Sequence, residues 1–246
     1  MRINEVRRIG AVNASLMAMM VVLAGGVAPA RAADDVAPAI WSVGGTHPHG
    51  DGLWQASLGM RTSLLRDPGY DPFSTNDIST QVSVSVSRAF GVGLGFQPAL
   101  GLVWDAGESQ AFARSVEASL TLQRLAVALE GRFIPAPGVY VMARLAPGVL
   151  RAAASLADAS APAPLEIRYV TASLDAGAGA GVRLTPAASP VGFWLVADGG
   201  YGWTSAHDLT LRPSLPSTDV DKAGVTPLGS LAVRGPFLRF SLALSY

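Results

Sequence analysis

The sequence predicts an all-β chain folded as an antiparallel up-and-down barrel that crosses a membrane with eight strands. Three observations carry that expectation. Apolar and polar residues alternate with period two over most of the chain after residue 53, and period two is the strand signature. Only 15% of the 246 residues are charged and Lys222 is the sole lysine, whereas soluble domains carry roughly 25% charged residues. Finally, half of the chain is hydrophobic, yet beyond the N-terminal segment no run approaches the roughly 18 apolar residues that a spanning helix needs.

The elements follow in order. Residues 1–32 carry Arg2, Arg7 and Arg8, an apolar run Leu16 to Val27 and a small-residue site Ala30-Arg31-Ala32, the pattern of a secretory signal peptide cleaved near Ala32. The exported chain then holds 14 basic and 17 acidic groups, which leaves no polybasic surface for nucleic acid. Residues 33–52 form a Gly-rich segment before the barrel, expected in the periplasm, and residues 53–246 form the barrel.

The first strand is Trp54 to Leu64. Ile78 to Phe90 repeats the rhythm, with Val82, Val84 and Val86 opposing Gln81, Ser83, Ser85 and Ser87, and Val92 to Trp104 follows. In the fourth run Val116, Ala118, Leu120 and Leu122 share a face, but beyond Gln123-Arg124 the apolar positions become Leu125, Val127 and Leu129. Such a phase change predicts a β-bulge or a tight turn there. Val139 to about Leu156, Tyr169 to Leu184, Phe193 to Trp203 and Leu238 to Tyr246 complete the set. The short turns are then Arg88 to Gly91, Ile134 to Gly138 and Thr185 to Gly192. The longer outer loops are Arg66 to Asp77, Asp105 to Ala111, Ala157 to Leu165 and Thr204 to Gly235. If Gln123-Arg124 and Ala146 to Gly148 are both turns, the same chain gives ten strands.

The polar faces decide which side is buried. They are rich in Ser, Gly, Thr and Gln, whereas the open face of a soluble sheet is charged, so they suit a confined polar lumen and the apolar faces meet lipid. Aromatic residues at the strand ends, Trp54, Phe90, Phe193 and Tyr246 at one rim and Trp104, Phe112, Tyr201 and Trp203 at the other, fit two interfacial belts.

At the C-terminus Leu238, Phe240, Leu242, Leu244 and Tyr246 alternate with Arg239, Ser241, Ala243 and Ser245 up to a terminal aromatic. Over these last ten residues the chain resembles small bacterial outer-membrane barrels of the OmpA/OmpX-like kind. The resemblance implies delivery by periplasmic chaperones and insertion by a barrel-assembly machinery that reads this assembly signal. It also implies an outer-membrane location in a Gram-negative-type bacterium, with outer-membrane lipids as surroundings and an unidentified extracellular ligand for the loops.

Inward positions along the predicted strands are Arg61, Glu117, Glu130, Arg132, Arg144, Asp175, Arg183, Asp198 and Arg239. In an enclosure of eight strands, just wide enough for side chains, these charges are expected to pair and fill the lumen. A structural or adhesive barrel that presents outer loops is the favoured function. A narrow, porin-like channel for small solutes and an outer-leaflet lipid-modifying enzyme are the alternatives. Chemistry is sparse: Cys is absent, and His47, His49 and His207 all fall outside the strands. Ser205-Ala-His207-Asp208 carries no paired motif, and His47-Pro-His49 with Asp51 reads as a linker rather than a metal site. No catalytic residue, metal or cofactor is therefore expected.

Overall fold

The computed structural model describes residues 54–91, 95–113, 115–158, 163–186, 189–214 and 226–246. The expected signal peptide at residues 1–32, the segment 33–52 with His47, His49 and Asp51, and Lys222 lie outside them. The strands are β1 (Trp54–Leu64), β2 (Ile78–Ala89), β3 (Phe96–Ala113), β4 (Val116–Ala136), β5 (Val139–Asp158), β6 (Leu165–Arg183), β7 (Gly192–Thr204), β8 (His207–Pro213), β9 (Thr226–Leu231) and β10 (Gly235–Ser245).

Each strand from β1 to β6 pairs antiparallel with the next, and β10 pairs antiparallel with both β7 and β1. The result is a closed up-and-down barrel of eight strands, which leaves no open edge in its wall. The seam is tied at its very end, where the backbones of Trp54 and Tyr246 exchange two hydrogen bonds of 3.2 and 3.0 Å. One registered row runs Val182, Leu195, Leu242, Leu58, Val84, Trp104, Leu125, Val149 and returns to β6 at Ala172, ten residues from where it left. That offset is the shear of the barrel, and for eight strands it fits a strand tilt in the usual range of about 35–45°. Every residue of the row is apolar and faces outward.

Two expectations are corrected by the pairing. Register runs unbroken through Gln123-Arg124 on both sides of β4, and Ala146, Pro147 and Gly148 all pair with β6, so neither site is a turn and the ten-stranded alternative falls. Asp105 to Ala111 is strand rather than loop, because β3 continues to Ala113 opposite β4. The Thr204 to Gly235 loop in turn contains the β8–β9 hairpin, which touches the wall where Leu165 and Glu166 pair with Pro213 and Arg212.

The apparent phase change in β4 has a different cause. Even-numbered residues point inward along the whole strand: Ala118, Leu120, Leu122, Arg124, Ala126, Ala128, Glu130 and Arg132 are all buried. Chemistry changes faces while geometry does not. On the outer surface Leu125, Val127, Leu129 and Phe133 are exposed, whereas Gln123, Thr121, Ser119 and Glu117 continue the same face as polar groups. The change is aligned across four strands. The row Trp104–Leu125–Val149–Ala172 is apolar, and four residues further out lies Glu108–Thr121–Ala153–Arg168. An apolar exterior that gives way to polar residues at one level across these four strands marks the boundary between hydrocarbon and water. Strands β3 to β6, 18 to 21 residues long, are about twice the 9–11 residues needed to cross a bilayer. Their outer halves stand clear of it.

Candidate functional site

The lumen is filled in three layers. Its centre is an ion-pair network built on inward positions of seven strands. Asp105 of β3, fully buried, accepts hydrogen bonds from Arg61 (3.1 Å), Arg124 (3.0 Å) and Arg239 (3.2 Å). Asp175 of β6 lies 2.7 Å from Arg61 and 2.9 Å from Arg124. Arg239 reaches on to Asp198 at 3.2 Å, and Arg144 links Asp198 at 3.4 Å to Glu130 at 2.7 Å. Glu130 also holds Arg132 at 2.7 Å, whose guanidinium ends the chain on the Ser87 hydroxyl at 2.9 Å. Arg124 completes its donors on Ser173 Oγ and the Ala146 carbonyl. The wall leaves room for the network: a Cβ on Gly202 would lie 2.9 Å from Asp175 Oδ1 and 3.0 Å from Arg61 Nη2.

At the end carrying the long loops, an apolar cap closes the barrel. The β1–β2 loop makes a 3-10 turn, Asp71–Phe73, and turns Tyr70 and Phe73 inward. They pack with Leu209, Leu211 and Leu231 of the β8–β9 hairpin against Leu120, Leu122, Leu150, Ala152 and Tyr169 of the wall. This is the inverse face of the polar exterior: where water replaces lipid outside, apolar residues fill the inside, as in an ordinary soluble core. Tyr70 stays satisfied through its hydroxyl contact with Ser109 Oγ at 2.6 Å. At the opposite end, where both chain ends of the barrel lie, Tyr140, Met142, Trp194, Val196 and Ala243 form a floor. There the Trp194 indole donates to Ser245 Oγ at 2.9 Å, and the Arg132 guanidinium lies 5.1 Å from the Tyr140 ring centre.

Seven of the nine charges expected in the lumen, Arg61, Glu130, Arg132, Arg144, Asp175, Asp198 and Arg239, meet in this network. The other two do not. Glu117 is exposed on the outer surface near the β3–β4 turn, because β4 keeps its even residues inward and the apolar set ending at Leu122 is the cap, not the lipid face. Arg183 sits at the mouth and donates to Thr185 Oγ1 (3.2 Å) and the Ser189 carbonyl (2.9 Å) of the β6–β7 turn. Two central members, Asp105 and Arg124, were missed. Each continues the inward parity of its own strand, Asp105 after Ala99, Gly101 and Val103, and Arg124 after Leu122, and that parity was the available signal.

Leu238, Phe240, Leu242 and Leu244 face outward on β10, and Tyr246 directly after it is exposed too, the five ranging between 46% and 67%. Phe112 lies near the tip of the β3–β4 hairpin, eight positions beyond Trp104 and outside any belt. His207 opens β8 and stacks on Tyr169, ring centres 4.1 Å apart; among the described residues no hydrogen bond joins it to Ser205 or Asp208. No group of three or more metal-ligating side chains occurs among the described residues.

A closed barrel with an apolar girdle, rimmed by exposed aromatics and filled by paired charge, is a transmembrane β-barrel. Several solved structures are similar to the chain. Neisserial surface protein A matches with a TM-score of 0.42 at 12% identity, over 78% of this chain and 96% of that one. Ail, the attachment invasion locus protein of Yersinia pestis, matches with 0.40 at 14%, over 80% and 98%. The outer membrane protease OmpT of Escherichia coli matches with 0.43 at 5%, over 78% and 95%. At such identities and TM-scores the likeness carries no argument about this chain. No family model and no curated protein matches the chain.

Proposed function

We propose that the chain is an exported outer-membrane barrel with a plugged lumen, whose work is done by the surface it presents outside the cell, in a structural or adhesive role. The observation that carries this reading is the closure of the passage by cap, network and floor. An eight-stranded wall leaves only side-chain-sized space, and here paired guanidinium and carboxylate groups occupy it. With the chain ends in the periplasm, the cap and the extended halves of β3 to β6 face outward, and Leu238, Phe240, Leu242, Leu244 and Tyr246 serve as the signal read by the barrel-assembly machinery. The N-terminal signal peptide, periplasmic chaperones and surrounding outer-membrane lipids belong to the same reading.

The test is conductance of the purified full chain in planar bilayers. The proposal expects insertion without steady ion current. A stable open level in most insertions would replace it with the narrow-channel reading.

A further inference from the structure

Across the outward positions of β1, β2, β7 and β10, and of β3 to β6 between the Trp104–Leu125–Val149–Ala172 row and the end where Trp54 and Tyr246 lie, Arg88 is the only charged side chain among the described residues. It is exposed on β2 and paired in register with Trp54 of β1 and Leu100 of β3. Its guanidinium lies over two rings, 5.6 Å from the centre of Trp54 and 5.5 Å from that of Phe90. Trp54, Phe90 and Leu100 are themselves exposed, so the cation is set into the aromatic rim of the apolar wall. No carboxylate answers it. Among the described residues Arg88 makes no ion pair and no hydrogen bond, in contrast to the paired arginines of the lumen.

We propose that Arg88, steadied by Trp54 and Phe90, binds the phosphate of one anionic glycerophospholipid in the leaflet around that end of the barrel. The assignment rests on the reading of the apolar wall as the lipid face. A guanidinium carries five donors in a planar fork that fits two oxygens of a phosphate, and a charge on a lipid-facing wall is costly unless it reaches the interface and finds a partner there. The rings fix where that partner must come. They hold the cation against the wall by cation–π attraction, at the level where interfacial aromatics meet headgroups, and the group of opposite charge at that level is the lipid phosphodiester. A headgroup with net negative charge compensates the arginine, whereas a zwitterionic one brings a cation of its own.

Native mass spectrometry of the folded full chain in detergent, titrated with phosphatidylglycerol or with phosphatidylcholine of the same acyl chains, tests the site. The parent should retain one phosphatidylglycerol in preference to phosphatidylcholine. Arg88→Gln, which removes the charge from an exposed position and leaves every strand pairing in place, should bind phosphatidylglycerol about tenfold more weakly, the loss of one charge-assisted contact. Arg212→Gln, which removes an exposed arginine from the β8–β9 hairpin, should retain the parent's preference, and inorganic phosphate should not displace the lipid. Equal retention of the two lipids by the parent, a preference that survives Arg88→Gln, an equal loss in Arg212→Gln, or displacement by inorganic phosphate each overturns the assignment while leaving the barrel intact. Uptake of neither lipid contradicts the lipid-facing wall itself, and the assignment with it.

Discussion

Arg61 and Asp175 are 114 residues apart in sequence and meet inside the barrel through two hydrogen bonds of 2.7 and 3.3 Å. Their strands, β1 and β6, are not neighbours in the wall, so the pair ties non-adjacent strands across the lumen. Both groups are buried, and neither can turn to water when its partner is lost. Removing one member of a buried pair typically costs about 3–5 kcal/mol, more than the net worth of the pair. Arg61→Ala or Asp175→Ala alone should therefore destabilise by about that amount in equilibrium unfolding from lipid vesicles. The double variant should cost less than the two singles added together, the signature of coupling. Strict additivity would mean that the two side chains do not interact.

The closing strand makes a separate prediction. β10 contributes the last partner of both β1 and β7, so a chain lacking Phe240 to Tyr246 keeps two unpaired edges and loses its terminal aromatic. Such edges invite pairing with other chains. Cell fractionation should find this truncation in the periplasm, degraded or aggregated; normal insertion into the membrane fraction would refute the role given to β10.

The cap is predicted to be stabilised like a soluble core. Phe73 is fully buried among Leu209, Leu211 and the outer wall, and Phe→Ala at such a site costs about 3–5 kcal/mol. In Phe73→Ala the loss should appear as early proteolysis of the β1–β2 loop and the β8–β9 hairpin, while the membrane part keeps its heat-modifiable gel mobility. Loss of the whole barrel together with the cap would show that the two are one cooperative unit.

What the sequence disclosed and what it hid have one physical explanation. Alternation reports which residues share a face, and it located all eight wall strands and seven of the nine charges assigned to the lumen. It does not report what lies against that face. Leu120 and Leu122 are as apolar as Leu125 and Leu129, yet the first two meet Phe73 and Leu209 while the second two are exposed. Only the long-range pairing of β4 with β3 and β5 distinguishes core from lipid surface. The same blindness turned a change of solvent into an apparent bulge, misplaced Glu117 and put Asp105 in a loop. The β8–β9 hairpin was hidden because β8 is only seven residues long and its apolar positions reduce to Leu209 and Leu211.

The most direct test is the position dependence of a single arginine on the outer surface, read as refolding stability in lipid vesicles. Leu195 and Leu242 are paired neighbours in the apolar girdle, where Leu195→Arg and Leu242→Arg should each cost roughly 2–4 kcal/mol, the penalty at a bilayer midplane. Thr121 lies on the outer face of β4, four positions beyond Leu125 on the aqueous side of the boundary, and Thr121→Arg should stay within about 0.5 kcal/mol of the parent, as surface changes do. If Leu195→Arg and Leu242→Arg refold as stably as the parent, the apolar face is not the lipid face and the transmembrane account is wrong.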